Sequence, residues 1–211
     1  SYANVDLVTR RTSHIPRAFD EAMQKIALVG SAKHGFTGFF NNANIPSVAS
    51  SYNPNSGTAD DALDFVNTVI ASVATRTNLT SGVEVLLVPE KVRLKWARLK
   101  LSGTSVSVLA QILDDYGVAK GGTLRAIVGI NECQSDVLEA YGAQAAGTNR
   151  DLIMAIPVNP DAASRGFNAR RPTALEGPRD LVYKQIYLQS TSEARIDYPS
   201  EFGYYRTPKM T

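Results

Sequence analysis

Cysteine occurs once in 211 residues, at Cys133, and a single thiol excludes both an intrachain disulfide framework and a multi-cysteine metal site. Histidine occurs twice, at His14 and His34, each in polar sequence. No further ligands stand at the spacing that zinc requires, and no Gly-x-Ser-x-Gly elbow presents a serine to either ring. No run approaches the ~18 consecutive apolar residues of a membrane span. No charged, apolar, small-residue signal pattern opens the sequence. An excess of either charge is lacking too: 22 Lys and Arg against 20 Asp and Glu leave +2, which makes no overall electrostatic case for nucleic acid. Gly117 to Thr123 lacks the order of a phosphate-binding loop and reads as a helix-to-strand connection. There is no repeat and no low-complexity tract. These absences predict no cofactor, no metal and no enzyme active site.

What remains is a chain of ordinary globular composition, long enough to bury a substantial core. Residues 1–15 carry Arg10-Arg11 without an apolar period and read as an irregular arm. Pro16 then opens a helix with Phe19, Met23, Ile26 and Ala27 on one face, ended by Gly30. The stretch 32–57, rich in Gly, Asn, Ser and Pro, reads as loop with at most one short strand. The clearest helix begins at Thr58, where Thr58-Ala59-Asp60-Asp61 resembles a capping box with Asp in place of Glu or Gln. Ala62, Phe65, Val66, Val69, Ile70 and Val73 repeat on one face to about Arg76, a helix roughly 27 Å long.

Val83 to Val88 is a buried strand, and Pro89 with Glu90 starts a helix on which Val92, Trp96 and Leu99 share a face. A helix over Ser105 to Tyr116 turns Val106, Leu109, Ile112 and Leu113 inward, with Gly117 as its cap. Leu124 to Ile130 is a strand, Asp136 to Ala146 a helix despite Gly142, and Leu152 to Val158 a third strand. This alternation indicates an α/β unit. Residues 159–180 form a long turn-rich stretch of the kind a partner orders. Leu181 to Gln189 and Glu193 to Tyr198 both alternate apolar and polar residues, which predicts a half-buried hairpin turning at Ser190-Thr191-Ser192.

Among charged groups, Lys91, Lys95 and Arg98 fall on one flank of a helix at i, i+4, i+7. The alternatives are a solvated face, contact with another subunit, or contact with phosphates. Asp60-Asp61 suits a helix start. Asp114-Asp115 sits at a helix end where the dipole disfavours it, and pairing with nearby basic residues would offset that cost.

The end of the chain, a strand reaching Arg195-Ile196-Asp197-Tyr198-Pro199 and then Phe202-Gly203-Tyr204-Tyr205-Arg206, resembles the C-terminus of tailed-phage major capsid proteins. Gly38-Phe39-Phe40-Asn41-Asn42-Ala43-Asn44-Ile45-Pro46 resembles the stretch preceding that family's long helix, and Val83 to Leu101 its strand, proline, helix step. The resemblance spans roughly residues 35–206. It implies an α+β capsid fold: an arm remnant over 1–34, a peripheral domain with its spine helix over 35–82, an axial domain over 83–180, and a return to the peripheral domain over 181–211. Members have a longer N-terminal arm and an extended loop before the Gly38 region, for which only Ser1 to Lys33 is available here. Opening on Ser1 rather than Met is expected of a processed, trimmed or engineered product.

By the same resemblance the chain is a virion shell subunit assembled in the host cytoplasm. Copies form pentamers and hexamers that close around double-stranded DNA without sequence-specific contact, with scaffold, portal and maturation protease as further partners and no membrane. Subunit-interface residues would include Lys91, Lys95, Arg98, Arg170, Arg171 and Thr191. The alternatives are an encapsulin-type shell around protein cargo and an α/β enzyme whose site carries no recognisable motif.

Overall fold

The structure, a computed structural model, describes residues 7–157, 159–165, 171–172, 176–179, 182–184 and 187–211. In chain order it runs through helix α1 (Leu7–Val29), strand β1 (Ser47–Ala49), α2 (Ala59–Arg76), β2 (Val83–Pro89), α3 (Glu90–Arg98), α4 (Val108–Asp115), β3 (Ala126–Ile130), α5 (Ser135–Ala140) and β4 (Arg150–Pro157). Six short strands follow: β5 (Ala163–Ser164), β6 (Arg171–Pro172), β7 (Glu176–Arg179), β8 (Val182–Lys184), β9 (Tyr187–Leu188) and β10 (Arg195–Ile196). The last is β11 (Gly203–Pro208). The fold is α+β.

A five-stranded mixed sheet ordered β1-β11-β4-β2-β3 organises the molecule. Strand β4 pairs antiparallel with both β11 and β2, while β1 and β3 add parallel strands at the edges. Because successive side chains in a strand point to opposite faces, β4 feeds two cores. Ile153 and Ala155, with Tyr205 of β11, pack under α2, α3 and α4. Leu152 and Met154, with Tyr204, pack against Val29, Phe40, Cys133 and Leu138 on the other face. A sheet covered on both faces explains why β2 is apolar apart from Glu84, which pairs with Arg125 at 2.8 Å. Residues 52–112, β4 and β11 thus share one core on one sheet, across the sequence positions 82/83 and 180/181.

Helix α2 follows its sequence closely. The Thr58 hydroxyl accepts the Asp61 N–H at 3.2 Å, and the Asp61 carboxylate accepts the Thr58 N–H at 2.8 Å, so Asp completes the capping box. The Thr58 N–H, and after it the Thr58 hydroxyl, each donating to the Asp61 carboxylate at 2.8 Å, hold its pKa below the usual carboxylate range. Ala62, Phe65, Val66, Val69 and Val73 are buried, with Ile70 packed at their margin.

Four expectations need correction. Residues 7–15 are helical and Pro16 lies inside α1, so the irregular arm cannot extend past residue 6; no glycine or second proline interrupts 7–29, and backbone hydrogen bonding does not require an apolar period. Helix α4 starts only at Val108, where the Ser107 hydroxyl accepts the Ala110 N–H at 3.2 Å, leaving Val106 outside it and 40% exposed, and its last turn carries Leu113 outward rather than into the core. Gly117 is not a left-handed cap: its φ is −72°, and it is needed because a Cβ there would lie 2.0 Å from the Leu113 carbonyl oxygen. Helix α5 stops at Ala140, and Gly142 turns the chain at φ +75°.

The C-terminal hairpin is corrected in its pairing. Strand β8 pairs with β7, β9 with β6, and β10 with β5, each antiparallel. Period-2 alternation assigns side chains to faces but names no partner, and the turn-rich stretch upstream supplies the partners.

Candidate functional site

Helix α3 places the basic residues by turning its apolar side inward. Val92 and Trp96 are fully buried, and the Trp96 indole N–H donates to the Tyr52 hydroxyl at 2.8 Å. Tyr52 stacks on Phe65 at 5.0 Å between ring centroids, and Phe65 meets Tyr205 edge-on at 6.1 Å. This cluster clamps α3 to α2 and β11. Sequence reasoning missed Tyr52, which sits in a stretch whose composition signals only loop.

With one face so fixed, Lys91 and Arg98 project into solvent. Lys95 is half-buried and donates to the carbonyls of Pro54 at 2.5 Å and Asn55 at 3.0 Å. It therefore ties α3 to the loop before α2. Arg93 closes a two-bond pair with Glu90, at 2.6 and 2.9 Å, which lowers the Glu90 pKa. Beside the flank runs an open groove of about 480 Å³ lined by Lys91, Leu94, Lys95, Arg98, Leu99 and Met210. The structure thus brings three of the six candidate residues together. Arg171 lies elsewhere, exposed on β6, and Arg170 falls outside the described residues. Thr191 is half-buried, its hydroxyl donating to the Ser192 carbonyl at 3.2 Å.

The acidic groups are organised structurally. Asp114 is ion-paired with Lys120, whose ammonium also lies 3.9 Å from Asp115, so the helix-end carboxylates do find a cation. Buried Asp151 accepts the N–H groups of Ser135 at 2.8 Å and Met210 at 2.9 Å, pinning the start of α5 and the segment after β11. Burial nevertheless pushes its pKa up. Burial likewise raises the Cys133 thiol well above its usual value.

Among the described residues, the closest approach to a nucleophile and base is Ser31 with His34. The hydroxyl and Nδ1 are 2.9 Å apart on an exposed turn, and among the described residues no carboxylate bonds the other ring nitrogen. Among the described residues no three His, Cys, Asp or Glu side chains converge on a metal position, and no helix is long and apolar enough to cross a membrane.

The comparisons with known proteins point one way. A family model described as major capsid protein matches residues 1–164. No curated protein sequence matches. Among solved structures, the chain is similar to the capsid of Myoviridae phage XM1, with a TM-score of 0.76 and 13% identity, over 97% of this chain and 66% of that one. It is also similar to the holo SrpI encapsulin complex from Synechococcus elongatus PCC 7942, with a TM-score of 0.53 and 11% identity, over 99% of this chain and 68% of that one. The chain thus spans about two thirds of the length of either solved shell protein. At these identities the likeness carries the fold, and the match over 164 residues carries the family: this chain belongs to the major capsid proteins.

Proposed function

We propose that the chain is a shell subunit whose copies self-assemble into pentamers and hexamers and close an icosahedral shell around double-stranded DNA. The observation that carries this reading is the family match over residues 1–164, supported by the capsid fold. Particles would form in the host cytoplasm, with scaffold, portal and maturation protease as transient partners. With a net charge of +2, contact with packaged DNA is weak and independent of sequence. The chain would divide into an arm remnant over 1–34, a peripheral domain over 35–82 to which 181–211 returns, and an axial domain over 83–180, with β2, β3 and β4 of the axial part in one sheet with β1 and β11 of the peripheral part. Lys91, Lys95 and Arg98, with Arg170, Arg171 and Thr191, are assigned to contacts between subunits, where charges set register and partner choice.

Electron microscopy of the full-length protein tests the reading. Closed shells or rings of five or six support it, and a monomer at every concentration overturns it. Nuclease-protected DNA inside supports the virion assignment. Protein cargo instead would favour the encapsulin type, to which the fold is less similar.

A further inference from the structure

We propose that the acidic end of α4 in one copy, Leu113 with Asp114 and Asp115, docks into the basic groove beside α3 of the next copy. The inference rests on the shell reading and names the partner of that groove.

The groove offers cations and apolar surface. Lys91 and Arg98 are exposed and form no ion pair among the described residues, while Leu94 is 43% exposed on the same flank. The end of α4 offers the complement. Leu113 is 36% exposed, and the two carboxylates follow it at the negative end of the helix. Among the described residues Lys120 is the one cation paired with them, and Gln111, which donates to Asp115 at 2.8 Å, is neutral, so this surface keeps an excess of negative charge.

Within one chain the two surfaces do not pair: Asp114 and Asp115 face Lys120, whereas the groove is bounded by Met210 beyond β11. Because the surfaces differ, the contact is head-to-tail, and a head-to-tail contact closes into a ring when its rotation permits. Leu113 against Leu94 supplies the apolar contact, and the charges fix orientation and speed encounter.

The test uses the full-length chain carrying Leu94→Cys and Leu113→Cys together. Native Cys133 is buried with a raised pKa and stays unreactive. Mild oxidation of assembled protein is expected to give a disulfide-linked ladder ending at five or six chains, while either single variant runs as monomer. Assemblies that yield no ladder overturn the inference and leave the shell reading standing. A wild-type chain that never assembles overturns both.

Charge reversal supplies a second readout. Lys91→Glu with Arg98→Glu, or Asp114→Lys with Asp115→Lys, is expected to lower the assembled fraction at least tenfold, and all four changes in one chain to restore it. Undiminished assembly of the two-site variants, or no rescue in chains with wild-type circular dichroism, refutes the pairing. So does retained assembly with loss only of packaged DNA, which would make phosphate the groove's ligand.

Discussion

Removing one oxygen from Tyr52 tests how the aromatic cluster holds α3 in place. Tyr52→Phe keeps the ring stacked on Phe65 but leaves the Trp96 indole N–H, in a fully buried residue, without its acceptor. An orphaned buried donor costs about 1–3 kcal/mol. For a chain of this size that corresponds to a melting midpoint lowered by roughly 2–12 °C. Tyr205→Phe is the matched control. Its hydroxyl donates to the Val69 carbonyl and bonds the Ser72 hydroxyl, which keeps that carbonyl as its own acceptor at 2.9 Å, so removal orphans no donor and costs about 0.5–1.5 kcal/mol. Trp96 is the only tryptophan, so its emission during thermal and urea unfolding of the unassembled subunit reports this site directly. A Tyr52→Phe midpoint equal to wild type, or no lower than that of Tyr205→Phe, would refute the reasoning.

Thr58→Ala removes one half of the α2 capping box and should cost about 0.5–2 kcal/mol by urea unfolding; a variant as stable as wild type would show that Asp61 caps the helix alone. Glu139 accepts the N–H groups of Asn149 and Gly147, both at 2.9 Å, and the Ser135 hydroxyl, which together hold its pKa below the ordinary value. Its stabilisation is therefore present above the unfolded carboxylate pKa and is lost as pH falls through the lower folded one. The urea midpoint of wild type should fall more steeply between neutral and acid pH than that of Glu139→Gln, and parallel curves would refute the assignment. Gly38→Ala puts a Cβ 2.3 Å from the Gly30 nitrogen and 2.5 Å from the Leu28 carbonyl oxygen, backbone atoms that cannot swing aside. It should destabilise by about 3 kcal/mol or more, read as loss of soluble protein or of the unfolding transition; ordinary yield and stability would show that the α1 exit can shift.

The sequence was legible wherever one element sufficed to explain itself. Thr58, Asp61 and the spacing from Ala62 to Val73 placed α2 almost to the residue, because capping and helical period are local. The basic flank was equally visible, since Lys91, Lys95 and Arg98 follow from the burial of Val92 and Trp96. What escaped were relations between distant segments. Nothing local pairs β10 with β5, some thirty residues upstream, rather than with the strand before it, and nothing around Tyr52 announces a partner 44 residues away. The groove itself is joint: its floor joins α3 to Met210, which no reading of either stretch brings together.

The position of β11 has a consequence for how the chain is made. Residues 203–208 fill an inner place in the sheet, between β1 and β4. While a ribosome extends the chain beyond Pro157, strands β2, β3 and β4 can already associate, but β4 keeps an open edge, and β1 has nothing to pair with. At bacterial-to-eukaryotic elongation rates of about 5–20 residues per second, some 50 residues separate β4 from β11, an interval of roughly 3–10 s. During that time the nascent sheet presents the kind of bare strand to which a second nascent chain can add.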